Sequence, residues 1–162
     1  MASNPRNEET KDKIEEWLLR EGFKVSDETN PKMKFNILAT DNDGRKINIL
    51  QPLDRVETVV IVTAVALIQD QRNKIRLMDA ERRARFLWDL RFGLLNAGVV
   101  FDGITESPER IFISTPVYYD GLTHQAFMDK VSMIRRMLLW VIWTVDRELG
   151  ERSPSTQRAI YG

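Results

Sequence analysis

Between Thr10 and Leu149 the apolar positions fall into two rhythms that alternate along the chain. Ile14, Trp17, Leu18 and Leu19 recur at helical spacing after Thr10, whose hydroxyl can cap an orphan amide, and Gly22 supplies a stop. The spacing predicts a helix over residues 10–21. A period of two follows. Met33, Phe35, Ile37 and Ala39 share one side of a strand, and Lys34, Asn36 and Thr40 face the other way. Asp41-Asn42-Asp43-Gly44 turns this strand into a second one, carried by Ile47 and Ile49 and ending near Pro52. Thr58 to Leu67 is nearly all β-branched or small, which predicts a third strand covered on both faces at the centre of the sheet.

The helical rhythm returns at Asp79, a good N-cap. Ala80, Ala84, Leu87, Trp88 and Leu95 fall along one face, with Arg82, Arg83, Arg85 and Asp89 mostly outside it, and Asn96-Ala97-Gly98 ends the helix. Val99-Val100-Phe101 and Ile111-Phe112-Ile113 read as a second hairpin, turned by Ser107-Pro108-Glu109-Arg110. Thr123 caps a last helix from His124 to Leu149. The expected fold is α+β in the order α-β-β-β-α-β-β-α, with one antiparallel five-stranded sheet packed by helices. A single domain over 10–150 is expected, with flexible tails at 1–9 and 151–162.

The last helix carries unusual apolar girth. Phe127, Val131, Ile134, Leu138, Val141, Ile142, Val145 and Leu149 form one stripe, enough to pack on a sheet. Ala126, Met133, Met137, Trp140 and Thr144 form a second beside it, and Trp143 and Leu139 lie outside both. Each Met or Trp left in water forgoes roughly 1.5–3 kcal/mol, so something should cover them. Another helix of the same chain can do so, or a second copy, or another protein. Met133, Met137, Trp140, Trp143 and Thr144 are therefore the candidate partner interface.

Composition narrows the chemistry. Basic and acidic residues balance at 24 each, which argues against non-specific nucleic-acid or anionic-membrane binding. The absence of cysteine excludes disulfides, thiolate metal sites and thiol nucleophiles. The start is polar and the longest apolar run, Thr58 to Ile68, is too short to span a bilayer, so a cytoplasmic protein is expected. His124 is the only histidine, with no second ligand of its kind for zinc. Ser114, Asp120 and His124 lack a nucleophile-elbow pattern. Asp41-x-Asp43-Gly44 resembles the opening of a calcium loop, but Pro52 stands where the closing Glu should be, so it reads as a turn. No glycine-rich phosphate loop occurs. No catalytic residue, cofactor or metal is expected. Arg82, Arg83 and Arg85 are interleaved with Asp79, Glu81 and Asp89, and read as a solvated face with local ion pairs; they are also the alternative basic surface.

The element order, together with Trp17, Asp43-Gly44 and the long last helix, resembles the type III secretion chaperone-like fold. That fold is shared by bacterial YbjN-like proteins and by uncharacterised archaeal families of similar length. The resemblance covers Thr10 to Leu149 and implies a homodimeric module that binds segments of client proteins without catalysis. Secretion chaperones tend to be acidic, whereas this chain is neutral. Two functions follow. One is a protein-binding or chaperone-like module, paired with itself or with another protein, using the last helix or a sheet edge. The other is a small accessory subunit, or a nucleic-acid-associated protein, using the arginines of the second helix.

Overall fold

The computed structural model describes residues 5–150. The elements run α1 (Pro5–Arg20), β1 (Lys24–Asp27), β2 (Met33–Thr40), β3 (Lys46–Pro52), β4 (Thr58–Ala66), α2 (Gln69–Leu77), α3 (Ala80–Asn96), β5 (Val100–Asp102) and β6 (Arg110–Tyr118), then a 3-10 turn (Tyr119–Gly121) and α4 (His124–Leu149). The fold is α+β, with one antiparallel sheet in the order β1-β2-β3-β4-β6-β5.

The sheet has six strands rather than five. The added strand is β1, whose Lys-Val-Ser-Asp sequence carries no alternation. Its pairing defines it, with Val25 opposite Ala39 and Asp27 opposite Ile37. The added helix, α2, is mostly polar and buries only Gln71 and Ile75. The Gln71 amide oxygen accepts the Ile68 N–H at 3.1 Å, which caps the first turn. α1 begins at Pro5, a residue whose fixed φ suits a first helical position, so residues 5–9 are helical rather than part of a tail. Thr10 is therefore not a cap. It is buried, and its hydroxyl donates to the Arg6 carbonyl at 2.8 Å. The tail expected over 151–162 lies outside the described residues.

The chain divides into two compact units, Met1–Val62 with Thr115–Ser132, and Thr63–Ser114 with Met133–Gly162. In the first, α1 packs on β1 and β2, and Ile14, Leu18, Ile37, Ile47, Ile49, Ile61 and Phe127 form the core. Asp41 is buried, and its Oδ1 accepts the N–H groups of Asp43 and Arg45, each at 2.9 Å. The acidic stretch is thus a hairpin turn, with Gly44 at φ +81°. A buried polar knot ties helix to sheet. The Tyr119 hydroxyl donates to Gln51 Oε1 at 2.6 Å and lies 3.1 Å from Asn7 Oδ1. Glu57 has a left-handed φ of 55°, and its carbonyl accepts the Tyr119 N–H at 2.9 Å.

In the second unit the core is Ile75, Phe86, Leu87, Leu90, Leu94, Ile111, Ile113 and the α4 stripe Ile134, Leu138, Val141, Ile142 and Val145. The buried face of α3 differs from the one the sequence suggests. Leu87 is inside, as expected, but Ala80, Ala84, Trp88 and Leu95 are exposed. Phe86, Leu90 and Leu94 form a competing apolar stripe of greater continuity, and it is this stripe that packs inward.

Candidate interaction surface

α3 and α4 pack antiparallel within the second unit through two contacts. Near the end of α3 lies Gly93; a Cβ placed there would be 2.1 Å from the Trp140 ring, so only a glycine lets the indole approach this closely. At the opposite end Arg82 Nε is 2.8 Å from Glu148 Oε1, and its Nη2 donates to the Glu148 carbonyl at 2.7 Å. The Asp79 carboxylate accepts the Arg82 N–H at 3.2 Å and fixes the start of α3.

This packing distributes the five candidate residues of the last helix. Thr144 is buried, and its hydroxyl donates to the Trp140 carbonyl at 2.7 Å. Trp140 is half-buried against Gly93, and Met133 and Met137 are half-buried too. Trp143, three residues on from Trp140, stands 60% exposed.

The surplus apolar surface extends to α3. Trp88, Phe92 and Leu95 are 52%, 53% and 61% exposed. Their i, i+4, i+7 spacing puts them in one outward stripe, opposite the buried one. The Trp88 and Phe92 rings stack at 5.5 Å between centroids, and the Arg91 guanidinium lies 4.8 Å from the Trp88 ring centroid. Arg91 also donates to the Ile104 carbonyl at 2.8 Å, which anchors the stack to the loop after β5. An aromatic side chain covers 150–250 Å² when buried, so with Trp143 the half-exposed group shows roughly 400 Å² of apolar surface, within the range of the largest patches on single proteins, which are often functional. Phe92 was not singled out from the sequence. Its spacing from Trp88 and Leu95 is the signal that identifies it.

The alternative basic surface is occupied by its own neighbours. Arg82 is committed to Glu148. Arg83 donates to the Arg76 carbonyl at 3.1 Å and approaches Glu106 at 3.7 Å, while Arg85 is 3.3 Å from Glu81. At the end of β5 the Asp102 carboxylate accepts the Gly103 N–H at 2.8 Å. In the first unit His124 Nε2 is 3.2 Å from Glu21 Oε1, with the imidazole 5.7 Å from the Trp17 ring. Among the described residues no group of three His, Cys, Asp or Glu could hold a metal ion, and no helix is long and apolar enough to cross a membrane.

The fold and this surface define an α+β protein whose most distinctive exposed feature is an aromatic ridge on a helix pair. The chain belongs to the family described as uncharacterized conserved protein DUF2299, whose model matches residues 10–145. A solved structure of similar fold is the crystal structure of an uncharacterized protein from Methanothermobacter thermautotrophicus. It shares 24% identity over 85% of this chain and 97% of that one, with a TM-score of 0.79. The similarity expected to an uncharacterised archaeal protein is therefore found. No functionally curated protein matches the chain.

Proposed function

We propose that this protein is a non-catalytic protein-binding module that acts in the cytoplasm and takes its partner on the outer ridge of α3 and α4. One observation carries the reading: Trp88, Phe92, Leu95 and Trp143 leave four large apolar side chains in solvent on one helix pair. Such a group is costly unless covered for part of the protein's life. Tryptophan is also among the residue types that dominate binding energy at interfaces. The order read from the sequence, to which the structure adds β1 and α2, resembles secretion-chaperone-like and YbjN-like folds and favours a binding role without catalysis. The internal pairing of Arg82, Arg83 and Arg85 supports a protein partner over a nucleic acid.

The test is the double substitution Phe92→Glu with Trp143→Glu. Both sites are exposed, so the unfolding free energy should stay within the range of ordinary surface changes, about 0.5 kcal/mol. Binding of an apolar dye should fall, and proteins cross-linked to the wild type in native extract should be lost selectively. A variant that keeps the dye and every cross-linked protein removes the ridge as the binding surface.

A further inference from the structure

The ridge has a charge pattern as well as an apolar one. At about 100° per residue, Arg136, Trp143 and Arg147 fall within an arc of about 40° on α4, with Trp143 about 60° around from Trp140. Trp140 points at Gly93 of α3. The alignment set by Gly93 with Trp140 and Arg82 with Glu148 brings Trp143 level with the Asp89–Phe92 turn of α3. Arg136 and Arg147 are both exposed, and neither is ion-paired among the described residues. Arg91 meets an aromatic face and a backbone carbonyl rather than a carboxylate. On the acidic side, Glu81 and Glu148 are already paired with Arg85 and Arg82, and the other carboxylates are Asp89 and the half-buried Asp146. Three guanidinium groups without a carboxylate against these two carboxylates make the ridge locally basic on a chain whose total charge is zero.

Charge separates the occupants. A second copy docked by the same face would bring its own Arg91, Arg136 and Arg147 against these three, and like charges across an interface are costly. An acidic amphipathic helix meets no such repulsion and can lay its apolar stripe on the rings. Resting on the protein-binding reading above, we propose that the occupant is an acidic amphipathic helix of a partner protein, with its apolar stripe over Trp88, Phe92 and Trp143 and its glutamates or aspartates beside Arg91, Arg136 and Arg147. The arginines would set orientation and on-rate, and the aromatic rings most of the affinity.

The experiment is a yeast-displayed library of helical peptides with a fixed apolar stripe and randomised flanking positions, sorted for binding to the full-length protein. Phe92→Glu with Trp143→Glu serves as the counter-selection, and sedimentation and an oligothymidine titration run in parallel. The expected result is binders rich in Glu and Asp at the flanks that reject the counter-selection variant. They should weaken about tenfold or more with Arg136→Glu plus Arg147→Glu, and weaken with added salt. Binders rich in Lys and Arg, or indifferent to the arginine substitutions, overturn the acidic partner while leaving a protein-binding ridge. Binders that do not distinguish the counter-selection variant, or no binders at all, overturn both. A dimer dissociated by Trp143→Glu, or tight oligothymidine binding lost with the two arginines, overturns the peptide in favour of a second copy or a nucleic acid.

Discussion

Gly93→Ala is the substitution for which local propensity and tertiary packing make opposite predictions. Gly93 sits inside a 17-residue helix, where alanine is ordinarily worth about 1 kcal/mol more than glycine. The new methyl, however, would be placed 2.1 Å from one atom of the Trp140 ring and 2.3 Å from another. A stiff indole accommodates this in one of two ways. It shifts within the packed unit, at the 1–3 kcal/mol typical of overpacking, or it swings out and forfeits roughly half the burial of a large side chain. Setting either against the propensity gain gives a net change from about zero, if the indole swings out, to a loss of about 2 kcal/mol, or up to about 8 °C in melting temperature, if it stays packed. Urea unfolding followed by circular dichroism and by tryptophan fluorescence measures it, and agreement of the two probes checks for a single transition. In a Trp140→Leu background the same Gly93→Ala change should turn stabilising by about 1 kcal/mol, because the clash is gone and the propensity remains. If Gly93→Ala gives the same change with Trp140 present as in the Trp140→Leu background, the helix contact described here is wrong.

Three further outcomes are expected. Tyr119→Phe leaves the Gln51 amide oxygen buried without its donor, which should cost about 1–3 kcal/mol in chemical denaturation; no change would mean that water or another donor reaches Gln51. The hydrogen bond from Lys11, 2.9 Å away, holds the Asp27 carboxyl below the usual aspartate range. Its stabilisation is present above about pH 4 and lost as the pH falls through the depressed value, so Asp27→Asn should lower the urea midpoint at pH 7, by less than about 1 kcal/mol for so exposed a pair, and not at pH 2. Burial pushes the neighbouring Glu15 above its usual range, so its ionised form opposes folding. Glu15→Gln should therefore give a gain at pH 7 that fades as the pH falls through the raised value and is gone by about pH 4, and a loss at pH 7 would contradict the assigned sign.

Much of the fold was legible because its elements announce themselves locally. β2 and β3 alternate cleanly around an Asp-Gly turn, and α4 shows helical periodicity over seven turns and a cap at Thr123, whose hydroxyl accepts the Ala126 N–H at 3.1 Å. β1 and α2 escaped for a shared reason. Neither carries an apolar pattern of its own, and each exists because the neighbouring chain supplies partners: Leu38 and Ala39 for β1, the Gln71 cap and buried Ile75 for α2. The start of α1 was misjudged because Thr10 looks like a cap, while the helix-compatible Pro5 is a weaker signal. The surface was half legible. Trp143 was visible as apolar mass outside both stripes of α4. The face that α3 turns inward depended on whether Leu87 kept company with Trp88 or with Phe86 and Leu90, which periodicity alone does not settle.

Each compact unit is assembled from two stretches of chain far apart in sequence. The piece ending at Val62 waits on Thr115–Ser132, and Thr63–Ser114 waits on the residues after Met133. On the ribosome neither half can close until most of the polypeptide has emerged, so early strands such as β2 and β3 spend that interval without the far-off segments that complete their unit. Cutting the gene at any single point cannot release one unit whole. Two co-expressed fragments split at an exposed turn can reassemble the whole protein, whereas truncation would yield neither unit.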